Sequence, residues 1–140
     1  MKIVVIDGQG GSIGKAIVEQ LKKNLPEYPL TAIGTNSIAA SNMLKAGADH
    51  AVTGENPVVV ACADADIITG PIGIIQANAL LGEITPTMAL AVSESHAKKI
   101  LIPMSQCKIS VVGTQSMGLS EYIKLLVEEV RGYIQSQTKQ

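Results

Sequence analysis

Apolar positions along this chain follow two rhythms that take turns. Short apolar runs lie at Ile3–Ile6, Leu30–Gly34, Ala51–Thr53, Asp66–Thr69, Ile100–Ile102 and Ile109–Val112, with turn-forming residues between them. Runs of this length predict strands, and Asp66–Thr69 reads as one buried on both faces. Between the runs, apolar residues recur at helical spacing. Ile13, Ala16, Ile17 and Leu21 mark a helix from Ile13 to about Lys23. Ser37 is placed to cap a second helix, which runs to about Ala46 and is ended by Gly47. Asn56-Pro57 opens a third, to about Ala63, and Thr85-Pro86 opens another, to about Lys99. Proline suits a first turn because its missing N–H has no helical partner there anyway. Ile74–Leu81 predicts a short helix before Gly82. A last helix, about Leu119 to Ser136, aligns Leu119, Ile123, Leu126, Val130 and Ile134 on one face, and 135–140 reads as a polar tail.

The first strand runs straight into Asp7-Gly8-Gln9-Gly10-Gly11-Ser12-Ile13-Gly14-Lys15. Strand, glycine turn and helix start make an anion site: the first helical N–H groups are unpaired and the helix dipole favours negative charge. Glycine lets the backbone approach a phosphate with no Cβ between them. Gly8, Gly11 and Gly14 fit G-x-x-G-x-x-G, a spacing that resembles the extended short-chain dehydrogenases. G-x-G-x-x-G fails, because its last glycine would fall on Ile13. The P-loop of nucleotide triphosphatases fails as well. Its first glycine would be Gln9, and Ala16 follows Lys15 where a hydroxyl must hold magnesium.

Alternating strand and helix, entered through this turn, give the fold class. It is α/β and Rossmann-like, doubly wound, with a mostly parallel sheet of about six strands in one domain, residues 1–140. Ligands of such sheets bind outside the carboxyl ends of the strands. Those ends carry Asp7-Gly8, Thr35-Asn36-Ser37, Thr53-Gly54-Glu55 and Thr69-Gly70. The expected site is therefore Asp7, Gly8, Gly10, Gly11, Ser12, Ile13 and Gly14, with Thr35, Asn36, Ser37, Thr69 and Gly70. NAD sites usually place a carboxylate at the end of the second strand to accept the ribose 2′-hydroxyl. Here Thr35, Asn36 and Ser37 stand instead, and Ser37 at a helix start can donate to a 2′-phosphate. The expected cofactor is NADP or NAD, leaning to NADP, with no Arg nearby to strengthen that lean.

Charge and composition narrow the partners. Net charge is −1, from 11 Lys plus Arg against 12 Asp plus Glu, so nothing draws the chain to nucleic acid or an anionic membrane. No apolar run approaches the ~18 residues of a membrane span, and no signal peptide is apparent. Cys62 and Cys107 are far apart, as in a reduced cytoplasmic protein. His50 and His96 are isolated, which excludes a zinc motif. Charged residues are only 16% of the chain, against roughly 25% in typical domains. The apolar stretch Ile72–Leu81 reads as a helix needing cover on every side, in a domain expected to cover one sheet face only. A homo-oligomer follows.

The residues leave the reaction open. The Tyr-x-x-x-Lys pair of short-chain dehydrogenases is absent. Glu55, Asn78, Glu83 or Cys107 would serve an enzyme acting on a small phosphorylated or carboxylated metabolite, and a ligand-sensing regulatory module would use the same turn. MKIVVIDGQGGSIGKAIVEQL, TNSIAASNMLKAGADHAVTGENPVVV and the block from ITGPIG to PMSQC resemble a family of short bacterial proteins of unknown function. The resemblance covers the chain to about Gly113. It implies a stand-alone nucleotide-binding-like domain and carries over no catalytic residue.

Overall fold

The computed structural model describes residues 1–104 and 108–139. Elements alternate from the start: β1 Ile3–Asp7, α1 Ser12–Asn24, β2 Leu30–Gly34, α2 Ser37–Lys45, β3 His50–Thr53, α3 Glu55–Asp64 and β4 Ile67–Pro71. A single 3₁₀ turn, Ile72–Ile75, follows, then α4 Pro86–Glu94, β5 Lys98–Ile102 and α5 Leu119–Thr138. All four strand pairings are parallel, and the order across the sheet is β3-β2-β1-β4-β5. This is the doubly wound order up to its fifth strand, and it reverses direction between β1 and β4.

Strand alternation splits the core in two. On β1, Ile3 and Val5 pack with α1, α2 and α5, while Val4 and Ile6 pack with α3 and α4. Every residue of β1 and β4 is buried. Both sheet faces are covered by the chain itself, which corrects the expectation of one covered face. The 20-residue α5 does this, returning across the sheet to lie on α1 and β5.

Several boundaries depart from the sequence reading, each because a tertiary partner outbids the local signal. Among the described residues the sheet has five strands. Ile109–Val112 pairs with no strand among the described residues and Val112 is fully exposed, since a β-rich run becomes a strand only where a neighbour is offered. Pairing with β4 claims Lys98 and Lys99 for β5, so α4 ends at Glu94. Gly70-Pro71 continues β4 instead of breaking it. A Cβ at Gly70 would stand 2.2 Å from the Ile6 carbonyl oxygen, so glycine permits the strand's close approach. Ile74–Leu81 is no helix: the 3₁₀ turn buries Gly73 and Ile74, and an irregular loop continues to Ile84. The stretch expected to be a polar tail carries helix α5 as far as Thr138. No helix is long and apolar enough to cross a membrane among the described residues.

Candidate functional site

The glycine turn sits where the strand order reverses, at the carboxyl end of β1. Its N-cap residue, Gly11, has φ 72° and offers no capping side chain. Asp7 caps the helix from the strand instead. Its Oδ2 accepts from Gly14 N at 2.6 Å and its Oδ1 from Gly8 N at 2.8 Å. Burial pushes the Asp7 carboxyl above its ordinary value, against the pull of those bonds from Gly14 and Gly8, and the charge of Glu83 adds to the push.

The rest of the turn is pinned from outside. Asn42 Nδ2 donates to the Gly10 carbonyl at 2.8 Å, and Asn36 Nδ2 to the Gln9 carbonyl at 2.8 Å. Glu83 reaches in from the loop before α4. Its Oε1 accepts from Gln9 N at 2.9 Å, Thr35 Oγ1 at 2.5 Å and Asn36 Nδ2 at 2.8 Å. Desolvation raises the Glu83 carboxyl, but the bonds from Thr35, Gln9 and Asn36 outweigh it and hold the group below its ordinary value. Among the described residues, the N–H groups of Gly10 and Ser12 keep no partner.

Gly10 and Ser12 are among the residues that line a cleft of about 60 Å³. The turn from Asp7 to Ile13 forms one side, and Pro71, Gly73, Leu80 and Met104 form the other. A Cβ on Gly10 would meet nothing within 4 Å, whereas one on Gly11 would lie 2.8 Å from the Ala39 Cα. The turn has room for a side chain at Gly10 and none at Gly11, where α2 is packed against it.

Residues 2–135 match the family model of a domain of unknown function, DUF3842. The chain belongs to that family. No curated protein matches it. Among solved structures it is similar to a dodecameric FMN-dependent UbiX-like decarboxylase from Escherichia coli O157:H7. The identity is 15%, over 92% of this chain and 75% of that one, with a TM-score of 0.48. A likeness that distant bears on neither ligand nor reaction.

In this DUF3842 chain the sequence-derived site residues fall into groups. Asp7, Gly8, Gly10, Gly11, Ser12 and Ile13 line the cleft, and Gly14 lies behind it on Asp7. Thr35 and Asn36 stand beside the turn, bonded to Glu83. Asn36, not Ser37, caps α2, accepting from Ala39 N at 2.9 Å. Ser37 is exposed as the first helical residue. Thr69 and Gly70 lie inside β4 and are not among the lining residues, and the buried Thr69 hydroxyl has no partner among the described residues. Among the candidates for chemistry, Glu55 accepts from Thr85 Oγ1 at 2.5 Å. None of Glu55, Asn78 and Glu83 lines the cleft; Glu83 stands beside it, on Gln9, Thr35 and Asn36. Cys107 lies outside the described residues. Burial pushes the other thiol, Cys62, up to about 11, which leaves it a packing residue. Pro71, Gly73, Leu80 and Asn42 carry no chemical signature in sequence. Glu83 shows only as a loop glutamate after a glycine.

Proposed function

We propose that this chain binds a nucleotide such as NADP or NAD, with its diphosphate on the Gly10–Ile13 start of α1. One observation carries the reading. Gly10 and Ser12, whose N–H groups are unpartnered among the described residues, line a cleft at the point where the strand order reverses. The cleft of about 60 Å³ suits a phosphate-sized group. Pockets for whole small ligands run to roughly 300–1,000 Å³, so the nucleoside would extend along the carboxyl edge of the sheet. Asp7 weakens the anion site by taking the Gly14 N–H, which is why the two free donors matter.

The test is thermal stability of the pure protein with NADP, NAD, FAD, AMP or coenzyme A. A ligand at 100-fold its dissociation constant adds ~2.7 kcal/mol. Silence from all five at millimolar concentration overturns the reading. Gly10→Val is the informative variant: it fills the open side of the turn, so it should abolish binding and leave the melting temperature unchanged.

The same reading includes a homo-oligomer. Val60, Leu81 and Leu90 leave apolar surface exposed on the α3, α4 and loop side. Light scattering at micromolar concentration decides this, since a mass near 14.6 kDa means a monomer.

A further inference from the structure

NAD sites of this fold usually draw their ribose-binding carboxylate from the end of the second strand. Here that end is neutral, yet a carboxylate stands beside it. Glu83 arrives from the loop before α4, roughly fifty residues further along the chain, and is gripped by Thr35 and Asn36 at the tip of β2. Gln9 N holds it against the glycine turn as well. Ile84, fully buried, anchors the loop immediately behind it.

The two oxygens of this carboxylate differ. Oε1 accepts all three hydrogen bonds, and Oε2 accepts none among the described residues. The group is thus fixed in orientation with one acceptor to spare. A sugar hydroxyl can donate to that oxygen. A phosphate oxygen cannot, and its charge is repelled by the carboxylate of Glu83 itself. The ion pairs of the described residues are Lys2–Asp64, Lys22–Asp49 and Arg131–Glu128, so Glu83 has no ion-pair partner among them.

We propose that Glu83 is the ribose-selecting residue of this chain, accepting a 2′-hydroxyl on Oε2 and excluding a 2′-phosphate. The proposal rests on the nucleotide-binding reading above and sharpens it to NAD-type ligands. It reverses the lean to NADP that the neutral β2 end suggested, because the missing acid is supplied by another segment.

Calorimetry of NADH and NADPH with the full chain at neutral pH tests it, followed by Glu83→Gln. NADH should bind tighter by about tenfold or more, the worth of one hydrogen bond to a charged group. Glu83→Gln keeps the shape and removes the charge, so the ratio should fall to within about threefold. NADPH binding the wild type as tightly as NADH overturns the proposal and leaves nucleotide binding standing. Binding of neither overturns the proposal, and nucleotide binding falls with it only if FAD, AMP and coenzyme A are silent as well. If Glu83→Gln tightens both ligands equally, Glu83 is a plug that competes with the ligand, and the proposal fails. Should Glu83→Gln not fold, the wild-type ratio still decides, and Glu83→Asp, which keeps the charge, must retain the preference for NADH.

Discussion

Two neighbouring stretches at the carboxyl edge of the sheet turn sharply by different means. In the glycine turn, Gly11 takes φ 72°, a value that glycine adopts without a Cβ penalty. In the loop from Gln76 to Ile84, left-handed conformations fall on Asn78, Leu80 and Leu81, at φ 66°, 56° and 57°. A leucine in that region is strained by roughly 1–2 kcal/mol. The loop keeps its shape because it is tied at several points. Asn78 N donates to the Ile84 carbonyl at 2.7 Å, Ala79 and Ile84 are buried, and Glu83 is bonded to three groups. The turn takes one left-handed step on glycine's own freedom, at Gly11, and another at Gln9, φ 50°, whose carbonyl and N–H are held by Asn36 and Glu83. The loop owes its form to what holds it.

That contrast can be broken at its strongest point first. Gly11→Val should cost about 3 kcal/mol or more, because a branched side chain at φ 72° would run into the Ala39 backbone. Chemical denaturation measures it. A loss within 1 kcal/mol would mean that α2 is free to move away, and that the turn is no more locally determined than the loop.

Cutting the tie of the loop comes next. Glu83→Gln should cost about 1–2 kcal/mol at neutral pH, as three donors lose a charged acceptor for a neutral one. The sign of its pH dependence follows from the direction of the shift. Glu83 is held below its ordinary value when folded, so its contribution is complete above about pH 4.3. It is lost as pH falls through the lowered folded value. Melting curves of wild type and variant should therefore converge in acid. Asp7, raised by burial, has the opposite sign and weakens the fold as pH rises through its folded value. A gap that widens in acid would contradict the hydrogen-bonding scheme at Glu83.

The smallest expected effect is a gain. Leu81 is 97% exposed, so its side chain packs on nothing while its backbone is strained. Leu81→Gly should stabilise by about 1 kcal/mol, the relief of left-handed strain less the added freedom of the unfolded chain. A destabilised variant would show that the leucine is covered in solution, which would also point to the proposed homo-oligomer.

Much of the framework is legible in the sequence. β2 spans the residues expected of it, Leu30–Gly34, and β1 and α1 begin within a residue of their predicted starts. Thr85 caps α4 as its position before Pro86 foretold, accepting from Met88 N at 3.1 Å. Such features depend on near neighbours, where spacing and side-chain chemistry act directly. Ile109–Val112 and Ile74–Leu81 misled for the converse reason. Their apolar patterns are real, but whether a run pairs, coils or stays bare depends on partners distant in sequence.

The sequence by itself determined that strands and helices alternate and that a glycine turn opens the first helix. Periodicity, capping and glycine content are local properties, so a short window suffices to express them. Only the tertiary structure decided that the sheet of the described residues closes at five strands under two helical layers. It alone decided that Asp7 caps the first helix from within the strand, and that Glu83 lies across Thr35, Asn36 and Gln9. Those contacts join residues as far as 74 positions apart. No local pattern encodes such a meeting; it exists because parallel crossovers bring every strand's carboxyl end to one edge.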